Sequence, residues 1–147
     1  MNPFYELAIL SLVFLTLDGV WIGLIMRNHY NQVIKDIQGE EPDFKVIPAI
    51  LCYIVLIGGL YYFVSQKIKN FDLVRILSLS VPFALCVFGT FDFTTATILK
   101  NWDMTTAISD VLWGVTVCTI SVMVAAYLKE TTRTTQEEGN PIGSHSS

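Results

Sequence analysis

The sequence predicts an all-α integral membrane protein: a four-helix bundle with a polar layer in its interior. Two observations predict it. The 147-residue chain is 52% hydrophobic and only 15% charged, whereas soluble domains carry roughly a quarter of their residues as charges. Those charges also lie mainly between four long apolar runs, at about residues 5–26, 46–65, 76–99 and 104–128. Each run has roughly 20–25 residues, enough at 1.5 Å per residue to cross a hydrocarbon core of ~30 Å. Helices are the simplest spanning form, because lipid cannot satisfy a bare backbone. The many short alternating segments of a membrane β-barrel are absent from the sequence.

The first run lacks a basic flank and a small-residue cleavage site, so it reads as a retained helix and not a cleaved signal. Loop one, 27–45, is polar, with Gly39, Pro42 and four acids, and predicts a short surface helix over 30–37. The second run has Pro48 in its first turn and Gly58-Gly59 further in, a pair expected to permit close helix approach. Loop two, 66–75, is basic, and Pro82 marks a kink in the third run. Loop three, 100–103, is so short that runs three and four must form an antiparallel hairpin, with Trp102 as an interfacial anchor. Residues 129–147 are rich in Thr, Ser, Glu and Gly and are expected to form a disordered polar tail. Four crossings put both termini on one face. That face holds Lys67, Lys69, Arg75, Lys129 and Arg133, against Arg27, Lys35, Lys45 and Lys100 opposite, which leans towards termini on the cytoplasmic-type side.

Several classes are excluded. The net charge is −4 and no basic stripe is interleaved with aromatics, so nucleic acid is not an expected partner. Cys52, Cys86 and Cys118 form no C-x-x-C pair and read as small packing residues. His29 and His145 are too few for a histidine-based metal site, and no cofactor motif is present. Membrane lipids are the expected surroundings, and a homo-oligomer or a larger membrane complex both stay open.

The informative residues are Asp18, Asp92 and Asp110, each well inside an apolar run. An aspartate at a helix centre costs ~2.5–3.5 kcal/mol on insertion scales. Asp18 lies eight residues before the loop-one end of its run, Asp92 seven before loop three, and Asp110 six after it. Loops one and three share a face, so helical rise places all three carboxylates ~9–12 Å below it. Tyr53 enters the second run at a matching depth. Thr106, Asp110, Trp113, Gly114 and Ser121 share one helical stripe, whereas Thr116 and Thr119 lie off it and can bond carbonyls one turn back. Thr94 and Thr95 follow Asp92, with Thr95 on its face. Trp21 and Trp113 each follow an aspartate by three residues, an internal D-x-x-W echo whose rings either donate N–H bonds or fill space. No lysine or arginine sits at this depth. Three unpaired carboxylates in one layer cannot all stay ionised, so at least one is expected protonated, or else a cation is bound.

Leu17-Asp18-x-x-Trp21-Ile22-Gly23, Tyr30, Pro48-Ala49 with Tyr53 and Gly58, the block from Gly89-Thr90-Phe91-Asp92-Phe93-Thr94-Thr95 to Lys100-Asn101-Trp102, and Asp110-x-x-Trp113-Gly114 form an ordered set. That set resembles the membrane-protein family of domain of unknown function 2177, over roughly residues 4–128. Phe91 and Thr95 depart from the Tyr and Asn that the family carries there, which lowers the polarity of one wall. The resemblance implies a four-helix membrane protein and brings no activity with it.

Three functional readings stay open. A binding or transport protein would hold a proton, cation or small amphipathic ligand among Asp18, Trp21, Tyr53, Asp92, Thr94, Thr95, Asp110 and Trp113. A lipid- or isoprenoid-modifying enzyme would use an aspartate as acid or base, without an obvious nucleophile or metal cluster. An accessory subunit of a membrane complex would use the aspartates purely to join helices.

Overall fold

The computed structural model describes residues 1–138, so residues 139–147 of the expected tail lie outside the described residues. All regular elements are helical, and no strand occurs among the described residues. Helix α1, Pro3–Val20, opens on Asn2, whose Oδ1 accepts the Phe4 N–H at 3.0 Å, with Pro3 at the position that needs no donor. A π-helical turn, Trp21–Ile25, continues it to the far side. Helix α2, Arg27–Gln38, is the surface helix of loop one and stops at Gly39, whose φ of 80° favours glycine.

Helix α3, Val46–Phe63, ends in a 3₁₀ turn, Ser65–Lys67. Helix α4, Leu73–Ala84, starts at Asp72, whose carboxylate accepts the Val74 and Arg75 N–H groups at 3.0 and 3.3 Å. Shortly after Pro82 the chain enters a second π-helical turn, Leu85–Gly89, and then helix α5, Thr90–Ile98. Helix α6, Met104–Glu138, completes the bundle. Four segments are long and apolar enough to cross a membrane: Pro3–Ile25, Val46–Lys67, Leu73–Ile98 and Met104–Gln136.

Residues 129–138 differ from the expected disordered tail, because α6 runs through them without a break. Local chemistry explains it. The hydroxyls of Thr131, Thr132, Thr134 and Thr135 all donate to carbonyls one turn back, so threonine does not compete with the helix here. Glu130 accepts the Phe71 N–H at 2.8 Å and Arg133 donates to Asn70 at 2.8 Å, which ties this end to loop two.

Helix α6 is the centre of the bundle. Half of its apolar window is buried against protein, compared with 11% for the α3 span, which therefore presents most of its surface to lipid. Helix α6 packs along α1 and α4, and Leu10, Phe14, Leu60, Ile76, Val117 and Val122 fill the interior completely. Gly114 lies under the Phe88 ring so closely that a Cβ there would stand 2.3 Å from it. Of the Gly58-Gly59 pair, only Gly59 makes a close approach, 3.3 Å from the Phe83 ring for an added Cβ, while Gly58 faces open space.

The terminal face holds a partly buried ion pair, with Glu6 the buried partner, that the sequence reading did not single out. Glu6, in the first turn of α1, accepts from Lys129 Nζ at 2.9 Å and from Ser65 Oγ at 2.7 Å. Lys129 also donates to the Ile68 carbonyl at 3.2 Å, so three spans are joined at one point.

Two outcomes follow for thermal unfolding in detergent. Gly114→Ala is expected to lose about 1–3 kcal/mol through overpacking, part of it regained by adding Phe88→Leu. Lys129→Met is expected to lose about 3 kcal/mol by stranding Glu6, and Glu6→Met with Lys129→Met to lose less than that. Equal losses in the single and the double variant would rule out the stranded charge as the cause.

Candidate functional site

Two π-helical turns lie close to two of the three interior aspartates. One follows Asp18 in the first span and the other precedes Asp92 in the third. Such turns shift the side-chain register of a helix by about one residue and recur at functional positions.

Asp18 is 6% exposed and fully partnered. The Tyr53 hydroxyl donates to one oxygen at 2.7 Å and the Trp113 indole N–H to the other at 2.9 Å. Three helices, α1, α3 and α6, thus meet on one carboxylate. Asp110 is half-buried and accepts from the Tyr30 hydroxyl at 2.5 Å. Tyr30 lies on α2, outside the spans. Burial, and then the neighbouring Asp110, push its phenol well above the ordinary range, so it stays a donor at any physiological pH.

The D-x-x-W echo becomes geometry. The Trp21 and Trp113 rings stack, with centroids 4.5 Å apart and planes 6° from parallel. The first and fourth spans run antiparallel, and three residues of helix separate each aspartate from its tryptophan. Asp18 and Asp110 therefore lie on opposite sides of the ring pair, roughly 9 Å apart along the bundle. The polar layer is thus two levels, Asp18 with Tyr53 and Trp113 deeper, and Asp110 with Tyr30 nearer loop one.

Asp92 belongs to the upper level and differs from the other two. It is 0% exposed, and neither carboxylate oxygen has a hydrogen-bond partner. Asp110 and the Trp102 indole act on it electrostatically without forming a hydrogen bond of normal geometry. The buried indole N–H groups of Trp21 and Trp102 are unpartnered as well. Buried polar groups in folded proteins almost always find partners, so these orphans need an explanation.

The upper level is roofed by α2. Its His29 Nε2 and the Thr106 hydroxyl share a 2.7 Å hydrogen bond, Tyr30 stacks on Trp102, and Asn101 donates to the Asp36 carbonyl at 2.9 Å. At the start of α6, Asp103 accepts the Thr106 N–H at 2.7 Å, which holds its carboxyl below the usual range and fixes the turn that presents Asp110. Below Asp18 the bundle closes, because Phe14, Leu10, Val117 and Val122 are fully buried.

Of the eight residues expected to line the site, six gather here: Asp18, Trp21, Tyr53, Asp92, Asp110 and Trp113. Thr94 and Thr95 do not. Thr94 is exposed and the Thr95 hydroxyl donates to the Phe91 carbonyl of its own helix at 2.7 Å. A threonine can satisfy itself one turn back, so sharing a face with Asp92 did not draw Thr95 into the layer. Thr116 bonds back to Leu112, but Thr119 bridges to Ser80 of α4 at 2.9 Å. Tyr30, Trp102, His29 and Thr106 were the residues missed as site groups. The signal in the chain was the surface helix, but nothing in its periodicity tells that it folds back over Asp110. No group of three or more His, Cys, Asp or Glu is placed to hold a metal ion among the described residues.

Tyr30→Phe removes the tie between α2 and Asp110. Amide hydrogen exchange across α2 is expected to rise about tenfold, as for loss of a hydrogen bond to a charged group worth ~1.5 kcal/mol. Unchanged exchange would show that α2 is held by its other contacts.

Comparison with curated proteins and with solved structures finds no match to either. A family profile described as predicted membrane protein, DUF2177, matches residues 4–127, which includes the first three crossings almost entirely, most of the fourth, and every aspartate of the site. The chain belongs to the DUF2177 family of membrane proteins.

Proposed function

We propose that this protein binds a proton within the bilayer at the Asp92 carboxyl, as the resting state of a binding or transport cycle that opens towards loops one and three. One observation carries the reading: Asp92 is wholly buried with both oxygens unpartnered, beside a second carboxyl group. An ionised carboxylate in that setting would be desolvated without compensation, which is strongly unfavourable. A protonated Asp92 is neutral and has an O–H to share with Asp110. The half-buried Asp110 and its Tyr30 partner then form the link from Asp92 to the loop-one face. Asp18 serves as the fixed floor, since Tyr53 and Trp113 already satisfy it.

A small cation satisfies the same charge argument, but with few oxygen ligands in reach. Mg²⁺ or Ca²⁺ calls for six or more, and no group of three or more His, Cys, Asp or Glu is placed to start such a set among the described residues. The apolar plug beneath Asp18 means that release to the opposite face requires helix movement, for which the two π-helical turns are the natural hinges. The excess of lysine and arginine on the terminal face favours termini on the cytoplasmic-type side.

The test uses purified full-length protein in liposomes. Difference infrared spectra should show a protonated-carboxyl band near neutral pH that vanishes in Asp92→Asn and persists in Asp18→Asn. Decay of an imposed pH gradient should slow at least tenfold in Asp92→Asn. A carboxyl band indifferent to Asp92→Asn would end the proposal. A band that vanishes without any change in proton movement would reduce the role to binding alone.

A further inference from the structure

A groove of about 600 Å³ lies on the side of the bundle away from α6, between the first and second spans. Its walls include Leu7 and Leu15 of α1, Ala49, Ile54 and Gly58 of α3, and Phe44 at its mouth. Two lining residues have hydroxyls, and both are already satisfied: Ser11 donates to the Leu7 carbonyl at 2.7 Å and Tyr53 to Asp18 at 2.7 Å. No polar group is left to hold water or a polar ligand inside, so the groove accepts hydrocarbon.

We propose that this groove is a binding site for one acyl chain of a phospholipid from the loop-one leaflet, with the lipid phosphate at Lys45. Three features select that occupant. The first is length. From Val46, the first residue of its span, to Gly58 is twelve residues of α3, about 18 Å, close to the ~15 Å of one leaflet. The second is width. A helix 10 Å across and 18 Å long has a volume of roughly 1,400 Å³, more than twice the groove, so a helix from another copy rests on its rim and a single chain enters. The third is charge. Lys45 sits between Phe44 and Val46, which both line the mouth, and makes no ion pair among the described residues, whereas Lys35 of the same loop is engaged by Glu41 at 2.6 Å. A lysine ammonium on its flexible stem is a phosphate ligand. With Asp43 two residues away, the mouth suits a singly charged phosphodiester better than a more acidic headgroup.

Gly58 leaves open space in the groove wall: a Cβ added there meets nothing within 4 Å. Gly58→Leu therefore starts its side chain into open space, and leucine is the better helix former; thermal unfolding of the variant, compared with wild type, checks that it folds. The full chain is taken up in mild detergent with 1-palmitoyl-2-oleoyl phosphatidylglycerol, or with the matching diacylglycerol, and weighed intact by native mass spectrometry. Wild type is expected to retain one phosphatidylglycerol per chain and no diacylglycerol. Retention should fall at least fivefold in Gly58→Leu and in Ala49→Phe, at least threefold in Lys45→Gln, and stay near wild type in Lys45→Arg. Wild-type retention in both groove-filling variants, equal retention of diacylglycerol, or a dimer mass in place of the lipid adduct would each overturn the assignment.

Discussion

The fold depends on one constraint: a carboxylate inside the bilayer must be satisfied by protein, because lipid offers no donor. At Asp18 this fixes three helices at once. Tyr53 brings α3 and Trp113 brings α6 to the two oxygens of one side chain on α1. Hydrocarbon exerts little drive to associate apolar helices, so such bonds, together with close packing at Gly114 and Gly59, decide which faces meet. The stacked Trp21 and Trp113 rings follow from the same contact, since satisfying Asp18 draws the two D-x-x-W turns side by side.

The three aspartates then divide by environment and not by sequence context. Asp18 is saturated and belongs to the framework. Asp110 shares its carboxylate with a surface helix and stays half-buried. Asp92 is wholly buried, and among the described residues its two oxygens are the buried carboxylate oxygens without a hydrogen-bond partner. At the other face the buried carboxylate of Glu6 is met by a lysine and a serine hydroxyl. Asp92 has neither.

Burial in the molecule is uneven in a way that matches these roles. Helix α6 is the most buried of the four spans, with half of its apolar window covered by protein, while α3 is the least buried and forms one wall of the apolar groove. Tyr53 belongs to both surfaces, with its ring in the groove wall and its hydroxyl on Asp18. A chain lying in the groove therefore touches a residue of the polar layer without entering that layer.

The sequence by itself determined the spans, the hairpin at residues 100–103 and the placing of the aspartates inside them, because hydrophobic run length and helical rise are local quantities, whereas the single layer expected for the aspartates is two levels in the structure. It also pointed to Tyr53 as a partner from depth alone. The division of the aspartates into satisfied and unsatisfied came only from tertiary structure, since helix rotation and crossing decide which donor reaches which oxygen. Tyr30 and Trp102 joined the site for the same reason: loop one folds back over α6, a long-range event that no short-range period encodes. Thr95 and residues 129–138 were misjudged in the opposite direction, because threonine hydroxyls closed local bonds within their own helices where residue type alone pointed to a ligand wall and a disordered tail.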